Sequence, residues 1–239
     1  MASAQRAEFE DWHSHEHLPE RLGIPGFQRG SRWASATGGE GFFVMYELDR
    51  YETLTSTEYL GRLNQPTPWS VKMMPHHRNM VRSQCRIAAS HGGGIGNSML
   101  TMRLSPSPGR ADELREKLDD ALARVSSLPG LSGGHLLETR TPDAPPTTEQ
   151  RIRGGADAAA DWIVLVSGYD AQAIERIASG AIGPEALAAA GARSGAIAAR
   201  YGLRYTLTAM DVPAAAQIDD ERRRGAIPVT TSRAAGKGQ

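Results

Sequence analysis

The sequence predicts an α+β protein of two tandem β-α-β-β-α-β units, and three observations carry that expectation. A motif repeats: Ile24-Pro25-Gly26-Phe27, then Gly30 and Trp33, returns at an offset of 104 as Leu128-Pro129-Gly130-Leu131, then Gly134 and Leu137. Each copy follows a helix-like charged stretch and precedes strand-like runs. The composition, 40% apolar and 23% charged over 239 residues with a mean hydropathy of −0.41, supports a soluble chain with a real core.

The first helix is expected from about Ala4 to His17, where Phe9 and Trp12 share a face. Strands follow at about 27–35 and at Gly41–Leu48, a β-rich apolar run bounded by Gly and Asp. A helical region at about 51–63 and a last strand at about 80–88 complete the first unit. Ser98–Leu104 reads as the opening strand of the second unit. Pro108-Gly109 then introduces a helix whose stripe is Leu114, Leu118, Ala121, Leu122 and Val125. Strands at about 131–140 and Asp161–Gly168, a helical region at about 171–190 and a strand at about 203–210 close it. That is the ferredoxin-like order. Subtracting 104 from Ser98–Leu104 leads to before Met1, so the first strand of the first unit is expected to be absent, through truncation or replacement by Ala226–Ser232. Pro228 restricts that segment to a strand end or an edge.

The expected boundaries are 1–90 for the first unit, 91–97 for a Gly-rich linker, 98–211 for the second unit and 212–239 for a C-terminal arm. Within the second unit, 141–160 is rich in Pro and Gly and is expected to be a flexible insertion. Two ferredoxin-like sheets must each bury the face that their helices leave bare. Packed together within one chain they would form a pseudo-symmetric α+β barrel.

Charge excludes some functions. Lys plus Arg and Asp plus Glu both number 27, so no basic excess marks a nucleic-acid binder. Cys85 is the single cysteine, which excludes an internal disulfide framework and suits a reducing cytoplasm. It is expected to be buried and inert. No apolar run of about eighteen residues suggests a membrane span, and the opening residues contain no apolar signal segment.

Six of the seven histidines fall at or before His91; only His135 follows. The densest cluster is Asp11-Trp12-His13-Ser14-His15-Glu16-His17-Leu18-Pro19-Glu20-Arg21. As a metal site it offers His13 and His17 on one face, but neither a zincin order nor a third ligand nearby. As an exposed helix it would be plain polar surface. As an acid–base site it rests on Pro19, which should kink or end the helix near His15–Leu18 and place a histidine at an irregular point. His17 would move the proton, and Arg21 would hold a developing negative charge. The second cluster, Thr67 to Arg78, is either a packed connection or a pocket wall: Trp69, Met73 and Met74 would meet an apolar ligand, with His76 or His77 as the polar handle. His76 is the further catalytic candidate. Arg32, Tyr46 and Arg82 lie on expected strands and could point into the same interior. At the matching positions of the second copy, around Glu116–Val125, there is no His, Trp or Pro. One unit is therefore expected to carry the site and the other the scaffold.

Trp12-x-x-x-x-His17-x-Pro19-x-x-Leu22 leading into Ile24-Pro25-Gly26-Phe27, with the later Trp69-x-x-x-Met73-Met74-Pro75-His76, resembles the EthD-like branch of the dimeric α+β barrel superfamily over about residues 7–88. The resemblance implies use of the His of the His-x-Pro motif, here His17, without metal or cofactor. It also implies chemistry on aromatic or cyclic intermediates by lyases, dehydratases, isomerases or cofactor-free oxygenases. Heme-binding relatives exist, but neither His135 nor His91 is well placed as a proximal ligand. The leading expectation is a cofactor-independent acid–base enzyme with Trp12, Arg32, Tyr46, Trp69, Met73, Met74 and His77 binding substrate. The alternatives are a non-catalytic small-molecule-binding or assembly module, and a cofactor-free or heme-dependent oxygenase. An unpaired sheet edge would need cover, so a homodimer exchanging its arms about 226–232 is expected.

Overall fold

The computed structural model describes residues 1, 3–154 and 157–212. The strands are β1 Phe27–Ser35, β2 Phe42–Leu48, β3 Cys85–Gly92, β4 Ser98–Leu104, β5 Leu131–Thr139, β6 Trp162–Gly168 and β7 Ile197–Thr208. They form one curled antiparallel sheet in the order β2-β1-β7-β4-β6-β5-β3, the sheet of an α+β barrel. The two sequence halves meet at both seams, where β1 pairs with β7 and β3 with β5. Among the described residues β2 and β3 are the two edges.

Period-two alternation gives the sheet two apolar faces. Leu100, Met102 and Leu104 of β4 and Val164 and Val166 of β6 point outward into a core under the second-half helices. Met99 and Leu165 point inward and pack with Trp33. The outer core is capped by α5 Ala111–Val125, whose Leu114, Leu118, Leu122 and Val125 are buried. Each fully buried Leu contributes on the order of 1.5–3 kcal/mol. Asp112 and Glu113 in its first turn and Arg124 in its last complement the helix dipole.

The repeated glycines have a structural reason. Gly26 and Gly130 both sit at positive φ, +95° and +88°, in the Pro-Gly turns. A Cβ on Gly30 would lie 2.2 Å from Leu18 Cδ2, and one on Gly134 would lie 2.7 Å from Leu122 Cδ2. In both halves a leucine of the helix rests directly on a glycine of the strand.

Several boundaries differ from expectation. The first helix does not end near His17: α1 Arg6–Trp12, a π-helical turn His13–His17 and α2 Leu18–Leu22 follow without a break. The region 51–63 is a 3-10 turn Tyr51–Thr55 and then α3 Thr57–Asn64, which Ser56 caps by accepting from the Tyr59 backbone N–H. The last strand of the first half begins at Cys85 rather than 80 and runs into the expected linker as far as Gly92. The helical region 171–190 is two helices, α7 Ala171–Ser179 and α8 Pro184–Ala190, because Gly180, Gly183 and Pro184 interrupt it. β7 starts at Ile197, six residues earlier than expected. Numbering the intervening helices in chain order, α4 is Pro68–Met73 and α6 is Thr148–Arg153.

Within 141–160 the described residues include a helix and a β-bridge. Thr147 opens α6 with a capping box: its side chain accepts from the Gln150 backbone N–H, and the Gln150 side chain accepts from the Thr147 backbone N–H. Ala158 then pairs with the 80–82 segment through Arg82 N–H to Ala158 O at 2.8 Å and Ala158 N–H to Met80 O at 3.2 Å. Arg82 is therefore off any strand, and its guanidinium donates to Tyr59 Oη at 2.9 Å. Cys85 is half-buried, and burial pushes its thiol pKa up. Val212 packs beside Leu22 and Phe27. The proposed arm strand 226–232 lies outside the described residues. Among the described residues no helix is long and apolar enough to cross a membrane.

Candidate functional site

Pro19 shapes the site. It has no N–H to give to the carbonyl four residues back, and its ring crowds that carbonyl. The helix accommodates it by widening one turn, so that the Leu18 N–H reaches back five residues to His13 O. Such π-turns recur at functional sites. Here the turn brings His13 and His17 inward with ring centroids 5.4 Å apart, while exposed His15 bonds back to Asp11 O. His17 stacks on Trp12 at 4.4 Å with 33° between the planes, and 13% of its side chain remains exposed. His13 is buried against Phe9. The Nδ1 atoms of both histidines are buried without a hydrogen bond.

The wall opposite comes from α4, which Thr67 caps by accepting from the Ser70 N–H. Trp12 donates to Glu16 Oε1 at 3.2 Å and Ser70 Oγ at 3.3 Å, which fixes the indole plane under His17. Met73 and Met74 are buried, and Met73 packs with Phe9 and Trp12. His77 sets its ring edge-on to Phe9 at 5.8 Å and to Trp12 at 6.0 Å, and its Nδ1 is bonded to Met74 O.

Electrostatics keep these imidazoles neutral. Burial holds His13 well below the usual histidine range, helped by the nearby charges of Arg32, His77 and Arg21. Burial does the same for His17, with Arg21, His13, His77 and Arg153 adding to it. His77 is lowered by burial as well. Three neutral rings capable of accepting a proton therefore surround one aromatic floor.

Arg21 does not reach that space as a free cation. Its guanidinium is buried between Glu149 of α6, 128 residues away, and Glu20 at 3.3 Å. Burial opposes its charge, but those two carboxylates more than compensate and its pKa rises. Arg62 Nε pairs with Glu20 Oε1 at 2.9 Å, and Arg153 lies 3.9 Å from Glu149 and 2.9 Å from Asp157. The oxyanion role expected for Arg21 is thus filled by internal partners. Arg32 is buried too, donating to Glu10 O and Ser14 Oγ at 3.0 Å each. Tyr46 stands on the same outer face of the sheet, next to Gly30, and its buried hydroxyl has no hydrogen-bond partner. Burial raises its pKa, so the hydroxyl keeps its proton.

The expected residues divide accordingly. His17, Met73 and His77 come together around Trp12, with Phe9 beside it, and Met74 is buried as well. Trp69 packs on the outer rim and donates to Glu8 at 3.3 Å. His76 also lies on the Glu8 side, whereas His77 faces Phe9 and Trp12, so His77 takes the inward place expected of His76. Sequence reasoning missed His13, Phe9, Glu20 and Glu149 as site residues. Spacing held the clue to the first two: Phe9, Trp12, His13 and His17 recur at helical intervals. Glu149 was hidden in a segment whose composition resembled a loop. Among the described residues no three His, Cys, Asp or Glu side chains are grouped to hold a metal ion.

The sequence matches no protein-family model and no curated protein. Solved structures do match. The fold is shared; the sequences are not. An anthrone oxidase-like protein superposes with a TM-score of 0.58 at 12% identity, over 89% of this chain and 90% of the other. A provisionally named monooxygenase from Fusobacterium nucleatum gives 0.58 at 8% identity, over 87% and 89%. Another from Lactobacillus acidophilus gives 0.52 at 9%, over 87% and 92%. All three share the α+β barrel.

Proposed function

We propose that this chain is a cofactor-independent acid–base enzyme acting on a small aromatic or cyclic substrate. The observation that carries the reading is the π-turn, which brings two neutral, largely buried imidazoles together, His17 stacked on the Trp12 ring and His13 edge-on to it. His17, with part of its side chain open, takes a proton from an acidic C–H or O–H of the substrate. Tyr46, a protonated hydroxyl with no internal partner, donates to the enolate oxygen that forms. His77 and His13 line the aromatic floor, and Met73 and Met74 back it. Returning the proton to another carbon gives isomerisation; losing a leaving group gives dehydration or lyase chemistry.

A second reading follows from the printed names of the structural neighbours, an oxidase-like protein and two provisional monooxygenases. The same deprotonation would give an enolate that passes electrons to O2. A methylene beside a carbonyl would become a ketone, one oxygen atom entering the product and the other leaving as water. Both readings share the first step.

We read the architecture as two tandem ferredoxin-like units. The contiguous β7-β4-β6-β5 run of the second half has the sequential strands 4-1-3-2 of such a unit, and the first half supplies β1, β2 and β3 around it. We place the protein in the cytoplasm as a homodimer; sedimentation with and without residues 214–239 would test the dimer. An unchanged oligomeric state on truncation ends the arm-exchange proposal.

The test of function uses chelator-treated protein and anthrone, an enolisable tricyclic ketone, in deuterated buffer. Without oxygen, the enzyme should accelerate deuterium uptake at the acidic carbon. Admitting oxygen should then separate the readings, since quinone formation marks an oxygenase and exchange alone marks an isomerase-type base. Saturable binding with neither exchange nor turnover, for anthrone and for a panel of hydroxyaromatic acids and lactones, would make the chain a binding module instead.

A further inference from the structure

Glu20 stands one helical turn after His17, with Oε2 3.9 Å from His17 Nδ1. Its two oxygens are held differently. Oε1 faces Arg62 Nε at 2.9 Å, whereas Oε2 lies between Arg21, at 3.3 Å, and the imidazole. Arg21 is in turn fixed by Glu149 of α6. The carboxylate therefore has little freedom except toward His17. The stack on Trp12 sets the plane of the imidazole, so its Nδ1 keeps facing Oε2. At an offset of 104 the second half has Ala121 and Arg124 in place of His17 and Glu20, so the fold does not require the pair.

We infer that Glu20 is the positioning residue of His17: it receives the Nδ1–H of the neutral ring and so leaves the Nε2 lone pair as the base. The inference rests on the acid–base reading of His17 and says how that reading works. An imidazole has two tautomers, and which nitrogen accepts a proton is set by what the other one faces. Arg21, Arg153, His13 and His77 all oppose a positive charge on His17. Glu20 has a carboxylate oxygen within 4 Å of the ring, beside the charge that forms during proton abstraction. Closing 3.9 Å to a hydrogen bond of about 2.8 Å takes about 1 Å of side-chain movement, the kind of tightening seen when substrate fills an active site. Burial raises the Glu20 pKa and the Arg21 and Arg62 guanidiniums oppose that rise, so the carboxylate serves as the acceptor beside His17.

The test is the tautomer, read by long-range proton–nitrogen correlation NMR on the full chain with nitrogen-labelled histidine, His17 being assigned by His17→Gln. The native ring should carry its proton on Nδ1. Glu20→Gln should move it to a mixture or to Nε2, and Glu20→Asp should keep it on Nδ1. In the deuterium-exchange assay Glu20→Gln should lose about tenfold or more in kcat with KM within about twofold. A native His17 protonated on Nε2 overturns the inference, and needs no variant to be seen. So does an Nδ1 tautomer that survives Glu20→Gln. If His17→Ala leaves proton exchange untouched, the acid–base reading falls, whereas the tautomer result is decided separately.

Discussion

Two helices related by the internal repeat lie on the same sheet and have been put to different uses. The offset of 104 sets Leu18 against Leu122, and each rests on its glycine, Gly30 or Gly134. Around that shared anchor the chemistry diverges. Where the second helix has Lys117, Ala121, Ala123 and Val125, the first has His13, His17, Pro19 and Arg21. α5 is a regular helix from Ala111 to Val125, and its buried stripe is all aliphatic. The first helix has a widened turn, buries an imidazole and a guanidinium, and leaves a second imidazole, His17, partly open. Val125 and Arg21 occupy equivalent positions, and both are buried. The valine is stabilised by transfer out of water, but the arginine needs a carboxylate delivered from the other half of the chain. What the fold requires is whatever the two helices share; what they do not share is free for function.

The strongest way to break this comparison is to remove that carboxylate. Both side chains of the Arg21–Glu149 pair are 4% exposed, so Glu149→Ala leaves a buried, under-compensated guanidinium. Breaking such a pair costs about 3–5 kcal/mol. Urea denaturation of Glu149→Ala should show that loss. The double variant Arg21→Val with Glu149→Leu, which imitates the second half, should recover most of it. If the double variant is as unstable as the single, the pair is not what couples α6 to the first helix.

The next effect is catalytic. His17→Ala should cost about a hundredfold or more in kcat, or about 2.7 kcal/mol of barrel-independent transition-state stabilisation, while circular dichroism stays native. His135→Ala, in the second half, should be nearly silent. Equal activity of His17→Ala and the parent would remove the functional distinction between the halves.

Smaller, and shared by both halves, is the leucine-on-glycine contact. Gly30→Ala and Gly134→Ala each place a methyl too close to a buried leucine and should cost about 1–3 kcal/mol. The first should cost more, because its Cβ would also meet the Tyr46 ring at 3.1 Å. A silent Gly30→Ala in thermal unfolding would mean that the π-turn lets the first helix yield, so that the two anchors are not equivalent.

What could be read from residues alone follows the same division. The repeat, the Pro-Gly turns and the aliphatic stripe of α5 are local patterns with one physical solution each, and β1, β2, β4, β5 and β6 fall within about a residue of expectation, whereas β3 and β7 begin five and six residues away. Pro19 signalled an irregular helix, but a missing N–H does not say whether the chain stops or widens its turn. Arg21 looked like an available cation because its partner, Glu149, is 128 residues away in a Pro- and Gly-rich segment. The Thr147-x-x-Gln150 capping box was the one local sign that this segment contains a helix. Choosing between His76 and His77 needed the 3-10 turn Met74–His76 after α4, which ends with His77 in an extended conformation.

The gentlest way to test the comparison is pH. Buried His13, His17 and His77 all have folded pKa values below the ordinary value of 6.5, chiefly because burial disfavours their charge. In the unfolded chain the same rings titrate near 6.5. Above that pH both states hold them neutral and they do not affect the balance. As the pH falls below 6.5 the unfolded chain takes up protons that the folded one refuses, so stability declines. Each such ring contributes at most about 1.4 kcal/mol per pH unit. Glu20 works in the opposite direction closer to its own raised pKa, so the clean window is pH 7 to about 5.5. Urea midpoints across that window should fall for the parent and fall less for His13→Phe, which keeps a ring against Phe9 but cannot be protonated. Replacing Lys117, the second-half counterpart of His13, with Met should leave the slope unchanged. Parallel curves for the parent and His13→Phe would show that the widened turn does not hold His13 neutral, and the electrostatic contrast between the two helices would go with it.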